Sequence, residues 1–354
     1  MNVPMRKRGF TLVEVMASIA IIAIIALLLA SVTTSVGKTY SFTTRKIQKF
    51  RRAREAFDSI TRRLSEATLN TYWDYDDPTK PTNYIRQSEL RFISGNAKTL
   101  GLPASAYTHA VFFQAPIGFV NDTNYKNLPY LLNTWGFFVE YADDSAFRPP
   151  FVTAQMVPYL KRFRLMEMME PSETLTLYQA EITAGGNSKY TGKDWFTTPL
   201  SPNKRVRAEN IIALVILPKL SPADQVAGGY SDDRLAPTYL YDSTGTGMNT
   251  LADPNLNPKN QLPPVLQVAM VALDETAALR MSASDVTELQ GVLGGRFADS
   301  KNFLKDLRRD AQTYPDGSQD PSLEAYLINK RYDYRIFTTN VSIKAAKWSR
   351  SQKN

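Results

Sequence analysis

From Phe10 to Ala30 the chain runs 21 residues with one charge, Glu14, every other position being apolar or carrying at most a hydroxyl. A helix of that length spans about 30 Å, the hydrocarbon thickness of a bilayer. A short basic segment with Arg6, Lys7 and Arg8 precedes it. Beyond a polar stretch, Ser31–Thr44, apolar residues return at steps of three and four: Ile47, Phe50, Ala53, Phe57, Ile60, Leu64 and Ala67. Such a stripe, with arginine and lysine opposite, predicts an amphipathic helix packed on its own domain. A basic face toward a membrane surface or an acidic partner is the alternative.

From Asn70 the pattern changes. Residues 71–78 are aromatic, acidic and turn-forming and end the helix. Strands are predicted at Leu90–Ser94, Ala110–Gln114, Trp135–Tyr141 and Leu175–Ile182. The apolar run Ile211–Leu217, closed by Pro218, suits a strand buried on both faces. Val265–Leu273 and Ile336–Ile343 complete the set, the latter alternating Phe337, Thr339, Val341 and Ile343 toward one face. Residues 218–264, rich in proline and glycine, read as a long irregular loop. Residues 283–331 read as short helices, Asn302–Asp310 among them, inserted between the last two strands. The expected architecture is α+β: a long N-terminal transmembrane and amphipathic helix packed on a head with an antiparallel sheet. Its parts are residues 1–9, 10–31, 32–69 and a head over 70–354.

Glu14 is the residue that demands an account. A carboxylate in a spanning helix costs on the order of 2.5–3.5 kcal/mol near the centre and less toward an end, so a partner is expected. A cut between Gly9 and Phe10 would supply one, because Phe10 would gain an α-amine with Glu14 fifth from it. That amine could pair within the helix or with Glu14 of a neighbouring helix. An ordinary secretory signal fits less well. Its apolar core is usually ~7–15 residues and ends at a small-residue cleavage site, for which Ala30-Ser31-Val32 is a poor candidate.

The string Lys7-Arg8-Gly9-Phe10-Thr11-Leu12-Val13-Glu14-Val15-Met16 resembles the signal of type IV prepilins and type II secretion pseudopilins. The resemblance implies cleavage after Gly9 by a membrane prepilin peptidase, N-methylation of Phe10, and a subunit-registry role for Glu14. Arg6, Lys7 and Arg8 match the basic leader. It further implies a non-enzymatic subunit assembled with other pilin or pseudopilin subunits on an inner-membrane platform. The protein would be single-pass, its head in the periplasm before and after entering a filament. Residues 38–63 hold nine positive charges against Glu55 and Asp58, so charge bias alone leaves the orientation open; peptidase access to the leader decides it. The strand VLQVAMVAL after Pro263-Pro264, an insertion, then RIFTTNVSI resembles the C-terminal strand pair of the large J-type minor pseudopilin. Its bulky head suggests a tip or initiator place. Residues Arg62–Asp76 also resemble a verrucomicrobial group, Verru_Chthon cassette protein C. A membrane-anchored module capturing DNA or a secreted substrate is the competing reading.

Composition removes most other chemistry. With no cysteine, disulfides, thiolate metal sites and a cysteine nucleophile are excluded; one histidine, His109, leaves no multi-histidine metal site. His109 borders an apolar run with no acidic residue near it in sequence, which predicts a structural role. The net charge of +8 falls to +5 once residues 1–9 are removed, which argues against a nucleic-acid partner. Gly37-Lys38-Thr39 lacks the earlier glycine of a phosphate loop, since Val32 stands there. The pairs Asp76/Asp77, Asp143/Asp144 and Asp232/Asp233 read as solvated turns, with a loop calcium site as the alternative. Met166, Met168 and Met169 beside Glu167 and Glu170 read as core and rim, and Lys204–Arg207 as a solvated approach to a strand. No catalytic residue, cofactor or resident metal is expected.

Overall fold

The computed structural model describes residues 12–77, 79–186, 189–245, 256–315 and 320–348. The N-terminal apolar run forms helix α1, Leu12–Lys49, which continues through the polar stretch at 31–44 instead of breaking there. A second helix, α2, Arg51–Ser65, follows after a turn at Phe50. The chain divides at Arg51/Arg52 into two units, so α2 belongs to the head. Its buried residues are Ala53, Ala56, Phe57, Ile60 and Leu64, the apolar stripe seen in sequence. Phe57 meets Phe337 at 5.6 Å between ring centroids, and Arg63 lies over the Trp135 ring at 5.0 Å.

Past α2 the head is α+β, with eleven strands among the described residues, all pairs antiparallel. A hairpin of β1 (Tyr72–Tyr75) and β2 (Tyr84–Gln87) comes first. The chain then passes through β3 (Phe92–Asn96), β4 (Ala106–Pro116), β5 (Leu132–Ala142) and β6 (Arg162–Glu170). Three short helices follow: α3 (Thr176–Thr183), α4 (Asp194–Thr197) and α5 (Leu200–Asn203). After them come β7 (Lys204–Glu209), β8 (Ile211–Lys219), α6 (Pro222–Gly228), the two-residue β9 (Tyr241–Asp242) and β10 (Val265–Leu273). Helices α7 (Glu275–Arg280), α8 (Ala283–Gly294), α9 (Phe303–Leu307) and α10 (Leu323–Asn329) precede β11 (Tyr334–Ser342). The larger sheet has the order β7-β6-β5-β4-β3-β9 and the smaller β11-β10-β8.

One face of the larger sheet packs on α3–α5. Phe112 stacks on Phe196 at 4.3 Å, with Trp195, Leu177, Leu200, Met166 and Met168 around them. The other face, carrying Val111, Phe113, Phe137, Val139 and Leu165, is sealed by β8, in which every residue from Ile211 to Pro218 is buried. Asn210 is the corner between the sheets. It adopts φ +61°, a conformation asparagine tolerates better than most side chains, and its amide bonds Phe163 O in one sheet at 2.7 Å. Its carbonyl accepts from Leu273 N in the other sheet at 2.8 Å, and its side chain donates to Glu275 at 2.7 Å.

Three expectations need correction. Leu175–Ile182 is not a strand but mostly α3: Glu170 at the end of β6 accepts Thr176 N (2.9 Å) and Thr176 Oγ1 (2.6 Å), supplying the helix start with an acceptor. Buried Leu177 and Glu181 lie one helical turn apart on its inner face. Met166, Met168 and Met169 are core as expected, but Glu167 and Glu170 are not rim: they too are buried, in a strand over Arg162–Glu170. The segment 218–264 is irregular for the most part yet packed, with Leu235, Ala236, Tyr239, Tyr241 and Leu262 buried. Its described portion carries α6 and β9.

Gly136 of β5 pairs with Phe112 of β4, whose ring crosses the glycine so closely that a Cβ there would lie 2.2 Å from Phe112 Cδ1. Gly136→Ala should therefore displace Phe112 from its stack on Phe196 and destabilise the head by about 1–3 kcal/mol, the usual cost of overpacking. Denaturant unfolding of the variant checks this. An unchanged midpoint would mean the ring has room to move.

Candidate functional site

The segment that sequence singles out is α1. Residues Leu12–Thr34 form 23 helical residues, about 35 Å at 1.5 Å per residue, and none of that stretch is buried within the structure. A helix is the form a lone spanning segment must take, because lipid offers its backbone no hydrogen-bond partner. The few hydroxyls comply. Ser18 Oγ donates to Glu14 O at 2.7 Å, Thr33 Oγ1 to Leu29 O at 2.8 Å and Thr34 Oγ1 to Ala30 O at 2.8 Å. These three hydroxyls are thereby satisfied inside their own turns.

Glu14 lies in the first turn of α1, where the positive end of the helix dipole favours a carboxylate. It is the only ionisable residue from Phe10 to Thr34. Gly9, Phe10 and the leader charges Arg6, Lys7 and Arg8 lie outside the described residues. The surface around Glu14 is apolar: Leu12, Val13, Met16, Ile22, Leu27 and Leu29 are each well over half exposed. Such a face in water would aggregate. In lipid, or against like helices, it is at ease.

The head's candidate groups resolve into structure. His109 is fully buried between Tyr239, 4.4 Å between ring centroids, and Phe297. Its Nδ1 accepts the Ile216 amide at 3.1 Å, which leaves the proton on Nε2 to be donated to Phe297 O at 3.1 Å. Burial holds the imidazole neutral and pulls its pKa down to about 4. With both nitrogens engaged by backbone, the ring is spent on packing.

The carboxylate pairs each serve their own turn or a neighbouring cation. Asp76 accepts from Thr82 and Asn83, and Asp77 from Thr79 and Lys80; these bonds, the hydroxyl ones foremost, hold both carboxyls below the usual range. Asp143 accepts from Ser145, and Asp144 pairs with Arg148 at 2.7 Å. Asp232 pairs with Arg234, and Asp233 with Lys219 at 2.5 Å. Among the described residues no group of three or more histidine, aspartate or glutamate side chains is placed to hold a metal ion. Lys38 and its neighbours lie inside α1, with no loop for a phosphate. Lys204–Arg207 lies in β7, where Lys204 pairs with Glu140 at 3.0 Å and Arg205 reaches Glu167 at 4.0 Å.

Sequence reasoning missed two features. One is the buried ion pair of Arg91, just before β3, with Glu181 of α3, both almost fully enclosed, with Arg91 also donating to Ser88 O and to Tyr190 O at 3.0 Å. Burial pushes the arginine pKa down and the glutamate up. The pair fastens α3 to the sheet. The other is Arg86, which lies over Trp73 and donates to Gln261 Oε1 (3.0 Å) and Lys347 O (3.3 Å) in a small cleft beside the hairpin. No local pattern announces either, because each joins residues remote in sequence.

Residues 4–30 match the family model described as the prokaryotic N-terminal methylation motif. No curated protein and no solved structure matches the chain. The motif supports the type IV prepilin and pseudopilin class: a membrane-anchored, pilin-like structural subunit, processed by prepilin peptidase and assembled with other pilin subunits.

His109 makes stability depend on pH. Its folded pKa lies below the ordinary value near 6.5, so the unfolded chain binds the extra proton between these two values. The stabilisation is complete above about pH 6.5 and is lost as pH falls toward about 4, on the order of 3 kcal/mol in all. As the sole histidine, it gives one imidazole NMR signal, which should hold still from about pH 8 down to about pH 5. His109→Gln should flatten the pH dependence of unfolding across that window. A signal titrating near pH 6.5 would refute the buried neutral ring.

Proposed function

We propose that this chain is a minor pseudopilin, similar to the large J-type subunit, that enters a short periplasmic filament of a type II secretion or type IV pilus-like system. The observation that carries the reading is Glu14: one carboxylate, in an otherwise apolar helix of spanning length, fifth from the residue that cleavage after Gly9 would expose. In the inner membrane α1 holds the subunit with its head in the periplasm. Cleavage leaves an ammonium group on Phe10, and methylation retains its charge. Within one helix this group and Glu14 lie a turn apart, and in a bundle the ammonium can reach Glu14 of a neighbour.

An ion pair at that depth offsets the cost of about 2.5–3.5 kcal/mol for a lone charge in lipid, and it exists across subunits only when helices stand in register. The apolar face of α1 then passes from lipid tails to other helices with little change in environment. The paired charges set the register. The β4–β5 and β5–β6 loops and the segments 218–264 and 274–333 add bulk to the head, which favours a tip or initiator place over repeated stacking.

Gly9→Ala should leave residues 1–9 attached, seen as an intact mass heavier than the processed protein. Glu14→Ala should insert in the membrane normally yet lower crosslinking to neighbouring subunits about tenfold or more, the equivalent of ~1.4 kcal/mol per contact. A native N-terminus at Met1, or one beyond Ala30, would overturn the reading.

A further inference from the structure

The two larger sheets of the head have four outer edges, and three of them are closed to further pairing. Edge β9 is two residues long. Edge β7 is short, carries Lys204, Arg205 and Arg207, and shifts register against β6 between Leu165 and Met166. Along β8 the outward amides of Leu214 and Ile216 donate to Thr108 Oγ1 and His109 Nδ1, both at 3.1 Å, and Pro218 O accepts from Leu235 N at 3.0 Å. Short strands, charge, bulges and cover are the ordinary guards of a sheet edge.

Strand β11 has none of these between Tyr334 and Ser342; cover begins only past its end, where Lys344 N donates to Ser65 O of α2 at 3.0 Å. It pairs with β10 over nine residues in unbroken register, without proline or bulge and with one charged side chain, Arg335. The bonds flanking the ladder, Ile343 N to Pro264 O (3.1 Å) and Asp274 N to Asp333 O (2.9 Å), set its phase. Residues 335, 337, 339 and 341 turn their backbone toward β10. Tyr334, Ile336, Thr338, Asn340 and Ser342 turn theirs outward, where no hydrogen bond meets them among the described residues. The side chains of Thr338, Asn340 and Ser342 are exposed.

We infer that β11 is a strand-addition edge whose occupant is β11 of a second copy of this chain, antiparallel about a twofold axis at Thr338. The edge is self-complementary in that register. Thr338 meets Thr338 of the second copy as a hydrogen-bonded pair, Ile336 meets Asn340, and Tyr334 meets Ser342. Arg335 falls opposite Val341, so no like charges face each other. The two small sheets become one of six strands, β8-β10-β11-β11-β10-β8, and the outward backbone groups of both copies are satisfied together. This pairing is independent of the filament reading, since it needs neither the leader cut nor Glu14.

The chain's lack of cysteine makes the test direct. Opposed residues in a hydrogen-bonded pair have Cα atoms about 5.5 Å apart, within disulfide reach. In the full-length protein in detergent, Thr338→Cys should form a disulfide-linked dimer under mild oxidation, while Thr183→Cys, exposed on α3, should stay monomeric. Thr338→Pro removes an outward N–H and leaves the β10 ladder complete, so it should shift the light-scattering mass from dimer to monomer. Absence of the Thr338→Cys dimer overturns the inference. So does a dimer that survives Thr338→Pro, or a Thr338→Cys adduct found only with a different chain in the native host.

Discussion

The join between the two sheets rests on β8. Its outer edge is buried, and a buried amide without an acceptor costs as much as a lost hydrogen bond or more. Among the described residues no strand runs alongside Leu214 and Ile216 to supply carbonyls. The acceptors come instead from side chains at a bulge in β4, where the register against β5 shifts between Tyr107 and Val111 and Thr108 takes φ +56°. That distortion brings Thr108 Oγ1 and His109 Nδ1 to the Leu214 and Ile216 amides. An imidazole suits the place because its second nitrogen can donate elsewhere, here to Phe297 O. A chain with one histidine has placed it where a strand edge would otherwise go unsatisfied.

The two units meet burial in opposite ways. The head engages its buried polar side chains with one another and with its own backbone: Arg91 with Glu181, Glu170 at the start of α3, Asn210 between sheets. Over Leu12–Thr34, helix α1 bonds the Ser18, Thr33 and Thr34 hydroxyls back to its own carbonyls and leaves its apolar side chains outward. One folds around its own core; the other presents an apolar surface suited to lipid or to like helices. A pilin-like subunit that moves between a membrane and an assembly needs both.

Much of this was legible from pattern alone. The apolar run with Glu14, the α2 stripe through Phe57, Ile60 and Leu64, and the strands at Ile211–Leu217 and Val265–Leu273 are local signals of composition and period. What escaped notice is set by distant partners. Residues 162–170 hide a central strand because methionine and glutamate are helix formers, and neighbours on both faces decide their state. Leu175–Ile182 starts with strand-like alternation, yet Glu170 and Arg91 hold most of it as a helix. The structural role of His109 was readable from its apolar setting. Its partners, Ile216 and Phe297, lie more than a hundred residues away, and only topology brings them near.

The contact of Phe57 with Phe337 joins the first helix of the head to the last of its strands. Between them the polypeptide must close the β8–β10 and β10–β11 pairings across two lengthy excursions, and loop closure of that span makes assembly slow. While the C-terminal strand is still being synthesised or translocated, the inner face of α2 lacks its aromatic cover and β10 has a bare flank. A nascent subunit therefore completes neither its small sheet nor the aromatic cover of α2 until β11 has emerged.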